Sequence, residues 1–324
     1  MITLEDVAAR AGVSRATVSR VVNGDTNVRA QTRLIVETAV AELGYSPNPA
    51  ARALASSQSN TLGLVTTNYR GGFFGALMDT VQSETELHGM QLLVTQGRSS
   101  AENELGAIQR LYNLRCDGLV LHIRALEDEA LLKLAEQGRK FVVLDREVAG
   151  LEDRCVVFDH RSASELATQV FINGGHTRIA CLHGPTSRAS SLLRRQGFLD
   201  AMHNAGLEPV ATLEGDYDMP SGHQQTTLLL QEARPTAIYC CNEEMALGAM
   251  LAINERGLRI PQDISLICYD SGERAPFVRP ALTSVHFPIS EMARYATRKL
   301  LNEHCEKESF LPQIVHRDSV RGNQ

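Results

Sequence analysis

The chain has 324 residues, 43% of them hydrophobic and 22% charged, with a formal net charge of −6 and an isoelectric point near 5.9. This length accommodates two or three domains with cores of their own, and the composition is that of an ordinary soluble globular protein. The acidic total excludes a protein that coats nucleic acid by bulk charge. Residues 1–58 differ mildly from the rest: six arginines and no lysine stand against Glu5, Asp6, Asp25, Glu37 and Glu42, leaving +1 there and −7 in the remainder. Any basic face must come from placement rather than from total charge. MITLEDVAAR has no basic segment followed by an apolar run, and no stretch approaches the roughly 18 apolar residues of a membrane span, so a cytoplasmic protein is expected. The seven cysteines are odd in number, lack a CxxC spacing, and several lie in apolar runs such as AIYCC and SLICY. They read as buried free thiols rather than a zinc site.

The first sixty residues read as helical. Thr3 and Asp6 have the spacing of a capping box, and Leu4, Val7, Ala8 and Ala11 follow at helical intervals until Gly12 ends the helix. Ser14 is placed to cap a second helix from Arg15 to about Val22, which stops at Asn23-Gly24. A third runs from about Ala30 to Leu43 and closes at Gly44. Two short helices joined by a Gly-containing turn form a helix-turn-helix. YSPNPAARALASSQSN then reads as a linker, in which Asn48 and Pro49 suit the start of a short helix over Ala50–Ala55. So short a helix is marginal alone in water and needs a partner to become ordered.

From Asn60 the pattern alternates. TLGLVTT, GMQLLVTQ, DGLVLHI, KFVVLD and RCVVFD read as strands, separated by helices over Phe74–His88, Glu102–Leu114 and Leu126–Gln137. A helix over Ser162–Ile172 and RIACLHG, TAIYCC and DISLICYD repeat the scheme, with helices over Leu192–Ala205, Gly222–Gln231 and Met245–Glu255. Apolar strands alternating with amphipathic helices indicate parallel sheets covered on both faces, here two doubly wound lobes. Ligands in such folds sit at the carboxyl ends of the strands, in this case in the cleft between the lobes. The expected divisions are a DNA-binding domain over 1–46, a hinge and linker over 47–60, and a two-lobed domain over 61–324.

This order of parts resembles the lactose/galactose repressor family of bacterial transcription regulators over essentially the whole chain. LEDVAARAGVSRATVSRVVNG is similar to the family's DNA-binding signature and YSPNPAARAL to its hinge segment. NEEMALGAM, GLRIPQDISLICYD and PALTSV are similar to its ligand-domain motifs, in the family's order. The resemblance implies an all-α helix-turn-helix domain joined to a periplasmic-binding-protein-like α/β domain. It also implies a homodimer on double-stranded operator DNA and a small-molecule effector, with no cofactor.

At the DNA end, Arg15 and Ala16 lie in the first turn of the second helix and Arg20 four residues beyond Ala16, while Val18, Val21 and Val22 face elsewhere. Arginine can donate two hydrogen bonds to a guanine edge, and the Ala16 methyl can touch a thymine methyl. The resemblance implies that positions 15, 16 and 20 read sequence. Ser14, Thr17 and Ser19 suit phosphate contacts, and Asn23 and Arg29 complete the DNA-facing set. Taken alone, Arg15 and Arg20 would equally suit a solvated surface; the turn, the caps and the linker favour DNA. The family uses a leucine at the position of Leu54 as a minor-groove wedge; packing against the ligand domain is the alternative. Paired hinge helices predict a palindromic site.

For the effector, Asp159, Asn242 and Asp270 follow strands and Arg194 opens a helix after RIACLHG. Acid and arginine together bracket sugar hydroxyls through charge-assisted bonds. The resemblance adds Phe73, Phe74 and Tyr217 as stacking surfaces, with Arg188 and Arg146 behind them. Asp159 and Asn242 also suit helix caps, and Phe74 suits plain core. Glu243 stands where the family usually has Asp, Ser271 where a second Asp is common, and there is no Trp. The effector is thus a sugar or, alternatively, a nucleobase or sugar phosphate. A sugar-transport protein of the same two-lobed fold is disfavoured by the N-terminal helices. An enzyme is disfavoured because no GxxxxGK, GxSxG or HExxH motif occurs and the ten histidines are scattered. HRDSVRGNQ has no leucine heptad, so a dimer rather than a tetramer is expected.

Overall fold

The computed structural model describes residues 2–46, 59–269, 274–303 and 308–321. Leu54 and Asp270 lie outside the described residues. The chain forms two compact units, Met1–Asn60 and Thr61–Gln324.

In the first unit, α1 (Leu4–Ala11) starts with the reciprocal Thr3–Asp6 capping box and ends at Gly12, whose φ of +65° is the left-handed conformation glycine accepts without strain. Ser14 caps α2 (Arg15–Val22), its Oγ accepting from the Thr17 backbone N–H at 3.2 Å. α3 (Ala30–Leu43) follows and ends at Gly44. Val7, Val18 and Val36 are fully buried, with Val21, Ala8 and Ala39 nearly so. This apolar cluster fixes α2 against its neighbours and leaves the opposite side of α2 to solvent.

The second unit has two sheets. The first, in the order β2 (Gln91–Gln96), β1 (Thr61–Thr66), β3 (Gly118–Leu121), β4 (Phe141–Leu144), β5 (Cys155–Val156), is entirely parallel. Its connecting helices are α4 (Gly72–Leu87), α5 (Ala101–Asn113) and α6 (Asp128–Glu136). The chain then crosses to the second lobe through Phe158 and continues as α7 (His160–Asn173), β6 (Ile179–His183), α8 (Ala189–Asn204) and β7 (Ala211–Glu214). It goes on as α9 (Met219–Glu232), β8 (Ala237–Cys240), α10 (Glu243–Glu255), β9 (Ser265–Tyr269) and β10 (Thr283–His286). Next, α11 (Ile289–Leu300) returns to pack on α4, β3 and β4, and β11 (Gln313–Val315) goes back to the second sheet. That sheet has the order β11-β10-β9-β8-β6-β7, with only β11 antiparallel. Each sheet reverses its strand order beside a central strand, β1 in one and β6 in the other, so that crevices open at the carboxyl ends.

The expected helices and central strands are present with shifted ends. α4 begins at Gly72, two residues earlier than expected, so Phe73 and Phe74 both lie within its first turn, and α8 begins at Ala189, so Arg194 lies in its second turn. β7, β10, α11 and β11 have no expected counterpart. β7 and β11 are short and half-exposed, hence weak in apolar pattern, and α11 belongs in sequence to one lobe but buries its face on the other.

One buried carboxylate fixes the loop after β3. Glu104 on α5 is fully buried. It accepts backbone N–H bonds from Arg124 (2.8 Å), Ala125 (2.9 Å) and Leu126 (2.7 Å). Replacing it by Ala strands three buried donors, and we expect Glu104→Ala to lower the urea-unfolding free energy by about 3 kcal/mol. A loss below about 1 kcal/mol would show that water satisfies those donors instead.

Candidate functional site

On α2, Arg15, Ala16, Arg20 and Asn23 are exposed, Thr17 and Ser19 half-buried, and Arg29 is exposed at the start of α3. None of these positions belongs to the valine core. Ser14 and Thr17 pair through their hydroxyls at 2.9 Å, and Arg15 Nε meets Glu5 Oε1 at 2.9 Å. That ion pair is exposed at both ends and therefore weak, so Arg15 can exchange Glu5 for a stronger acceptor. Arg20 has no ion-pair partner among the described residues.

In the second unit, a cleft of about 1000 Å³ opens at the carboxyl ends of both sheets. From the first lobe come the segments after β1, β2, β3 and β4, supplying Phe73, Phe74, Gln96, His122, Arg124 and Asp145. From the second come those after β6, β7 and β8, supplying Arg188, Arg194, Asp216, Tyr217 and Asn242. Phe73 stacks on Phe287 (5.6 Å between centroids, 6° between planes) and stands edge-on to Phe74. Four lining residues other than glycine adopt positive φ: Arg98, Ser99, Asp145 (+60°) and Tyr217 (+63°). Such strain persists only where surrounding contacts over-determine the backbone, and it concentrates at functional sites. Tyr217 is pressed against Gly184, where an added Cβ would lie 2.1 Å from the phenol ring.

The floor of the cleft is a polar chain through the interior. Tyr269 O–H meets His160 Nδ1 at 2.5 Å, His160 Nε2 meets Asp145 Oδ1 at 2.8 Å, and Arg124 meets Asp145 Oδ2 at 2.5 Å and His122 Nε2 at 2.8 Å. Arg194 adds Nε to His160 Nδ1 (3.3 Å) and Nη1 to the Cys241 carbonyl (2.7 Å), and its guanidinium lies 3.8 Å from the centre of the Tyr269 ring. Asp145 ends a strand of the first lobe, and His160 opens a helix of the second, so this bond joins the lobes. Guanidinium nitrogens only donate. His160 Nδ1 therefore accepts and its proton sits on Nε2, facing Asp145; likewise His122 Nε2 accepts, and its proton sits on Nδ1. Burial pushes both imidazoles below their ordinary pKa and keeps them neutral. Burial alone would raise the Asp145 pKa, but His160 and Arg124 hold it far below the usual carboxylate range.

Two family models cover the chain: bacterial regulatory proteins of the lacI family over residues 3–48, and periplasmic binding proteins and sugar-binding domain of the LacI family over residues 59–308. The chain belongs to the LacI family. It is similar to the HTH-type transcriptional regulator GalS of Salmonella typhimurium, 36% identical over all of this chain and 98% of that one. It is also similar to GalR of Escherichia coli, 38% identical over 99% and 96%. A structure of the Lac repressor dimer bound to operator and an anti-inducer superposes with a TM-score of 0.89 at 33% identity, covering 98% of each chain. As a LacI-family member it is a DNA-binding transcriptional regulator under ligand control. Among the described residues, no helix is long and apolar enough to cross a membrane.

Within this LacI-family cleft the structure gathers Phe73, Phe74, Arg188, Arg194, Tyr217 and Asn242. Asn242 also caps α10, accepting from the Met245 N–H at 3.1 Å and donating to the Tyr217 carbonyl at 3.0 Å. Arg146 and Asp159 lie outside the lining. Arg146 pairs with Asp128, and Asp159 is spent on Ser162 as the cap of α7, at 3.0 and 2.7 Å. In both places the residue one position away is the one that faces inward: Asp145 and His160. Asp145 lies just past the end of its strand with a φ of +60°, and Asp159 is the N-cap of the helix that His160 opens, so adjacent side chains there take different directions. Asp145, at the end of KFVVLD, had the same signal as Asp159, an acid closing an apolar strand. Glu104 was legible as a charge on the apolar face of α5. His122 and Arg124 carried no comparable signal.

Two measurements test this geometry. Gly184→Ala forces the Tyr217 ring to move; we expect unchanged DNA binding without effector and at least about tenfold weaker effector affinity, and unaltered effector affinity would exclude Tyr217 from the ligand surface. The second concerns pH. Burial lowers the pKa of His122, His160, His176 and His183 below the ordinary 6.5. Below that value the unfolded chain takes up protons that the folded one refuses, so stability falls as pH drops. His88, raised by its bonds to the Glu84 carbonyl and Glu303, acts oppositely, but as one group against four. Asp145 adds its own loss only below about pH 4. The thermal midpoint is expected to fall steadily between about pH 7.5 and 5.5; a rise on acidification would contradict the neutral assignments.

Proposed function

We infer that the chain is a repressor that binds a palindromic operator as a homodimer through α2, and that a sugar in the interlobe cleft controls it. The observation that carries this reading is the cleft itself: aromatic rings for a sugar face, with Arg194, Asn242 and Asp216 for its hydroxyls, drawn from both lobes at once. A ligand that touches both lobes has different affinities for their open and closed arrangements, and only such a difference can shift a conformational equilibrium. The Asp145–His160 bond gives the two lobes a defined polar contact that a ligand either completes or displaces.

On the DNA side, the reading assigns base contacts to Arg20, Arg15 and Ala16, backbone contacts to Ser14, Thr17, Ser19, Asn23 and Arg29, and a minor-groove wedge to Leu54. The Lac repressor structure is a dimer on operator, and the same arrangement here places two copies of α2 on symmetric half-sites. The reading also makes the protein cytoplasmic and free of enzymatic activity.

The test joins both halves. With operator selected from random DNA, Arg20→Ala is expected to relax base preference at one symmetric pair of positions, a change of about 1–3 kcal/mol. Uniform weakening across all positions would assign Arg20 to phosphate. If purines rather than sugars stabilise the protein and change operator affinity, the sugar assignment fails while the repressor assignment stands.

A further inference from the structure

Proceeding from the sugar reading of the cleft, we propose that the ligand is an anionic sugar, a monosaccharide carrying a phosphate or carboxylate group seated between Arg188 and the His122 imidazole. The cleft's acids are largely committed. Asp145 is held by Arg124 and His160, Glu243 and Glu244 by Arg274, with Glu243 also accepting from the Ala275 N–H at 2.7 Å. Asp218 caps α9 through the Ser221 N–H at 2.8 Å.

The donors are not committed to the same degree. Arg188 is half-buried and has no carboxylate in ion-pair contact among the described residues; it lies over the Tyr217 ring at 5.5 Å and feels Asp216 only at longer range. Burial and the repulsion of Arg124 and Arg194 work against its charge, and an anion would relieve both. His122 is the independent observation. It is 2% exposed and lines the cleft, and because Arg124 occupies Nε2 as donor, its proton is on Nδ1. That buried Nδ1–H makes no hydrogen bond of good geometry among the described residues. Buried donors are nearly always satisfied, so a ligand atom is the acceptor this position calls for. Arg188 is also the N-cap of α8, whose first turn has no side-chain cap, adding the positive end of a sixteen-residue helix to the same region.

A sugar hydroxyl both donates and accepts, so one set between Arg188 and the His122 Nδ1–H, which both donate, finds no partner in that pair for its own proton. A phosphate or carboxylate only accepts, and its charge matches the guanidinium. The remaining lining, with Gln96, Asn242 and Asp216 as acceptors and Phe73 as an apolar face, suits the hydroxylated body of the ligand.

The experiment is calorimetric titration of the full chain with glucose and galactose, their 6-phosphates and their uronic acids, each with operator release measured in parallel. A 6-phosphate or a uronate is expected to bind at least about tenfold tighter than its parent hexose. Its affinity should drop several-fold between about 0.05 and 0.5 M sodium chloride, while that of the neutral sugar stays level. The phosphate and uronate arms identify the anion. Arg188→Gln should remove the preference, and Arg188→Lys should restore part of it. Equal or tighter binding of a neutral hexose that releases operator would overturn the anionic assignment and leave the sugar reading intact, as would a preference that survives Arg188→Gln. If no compound of the series changes operator affinity, the sugar reading itself falls, and this assignment with it.

Discussion

The buried bond between Asp145 and His160 organises the second unit. A carboxylate 1% exposed at its side chain cannot remain charged in an apolar interior without partners, and it receives them from both lobes: Arg124 on its own side, His160 on the other. Because His160 must accept from Arg194, and its neighbour Tyr269 also bonds that nitrogen, the imidazole is locked in one tautomer with its proton toward Asp145. Two arginines of the cleft are placed relative to this chain. Arg124 is aimed by Glu104 through the backbone of residues 124–126, and Arg194 is held flat on Tyr269.

The same arrangement explains how a ligand site and a conformational device share one space. The apolar cluster continues through Phe158 and Phe287 from one lobe to the other, so the lobes are joined both by packing and by the polar chain at the floor of the cleft. Packing is tolerant of small sliding motions, whereas a hydrogen bond of defined geometry is either made or broken. The Asp145–His160 bond is thus a contact between the lobes with two discrete states.

The DNA-binding unit was legible almost residue by residue, because its signals are local. The Thr3–Asp6 box, Gly12 and Ser14 each act within four residues of chain, and the structure places all three helices where those signals set them. The lobes were legible as alternation, with their central strands and helices in order. α11 was not, since the surface that makes its amphipathic face useful belongs to the other lobe, and β7 and β11 are edge strands with one half-exposed face. Among cleft residues, Arg194, Asn242 and Tyr217 were found from their positions after strands or in family motifs. Asp145 and His160 were each missed by one position, because position along a strand end does not reveal which way the last side chain turns.

The sequence by itself determined the class of molecule: three capped helices, then two alternating lobes whose strand ends face one cleft. Capping, periodicity and turn chemistry are properties of neighbours in the chain, and they need nothing distant to be read. Only the tertiary structure decided which charges are neutralised and which are free. Arg146 and Asp159 are taken by Asp128 and Ser162, while Arg188 at the cleft and the buried His122 Nδ1 are not taken by any carboxylate. Whether a charge is paired depends on residues far apart in sequence and close in space, and the ligand chemistry of the cleft rests on that pairing.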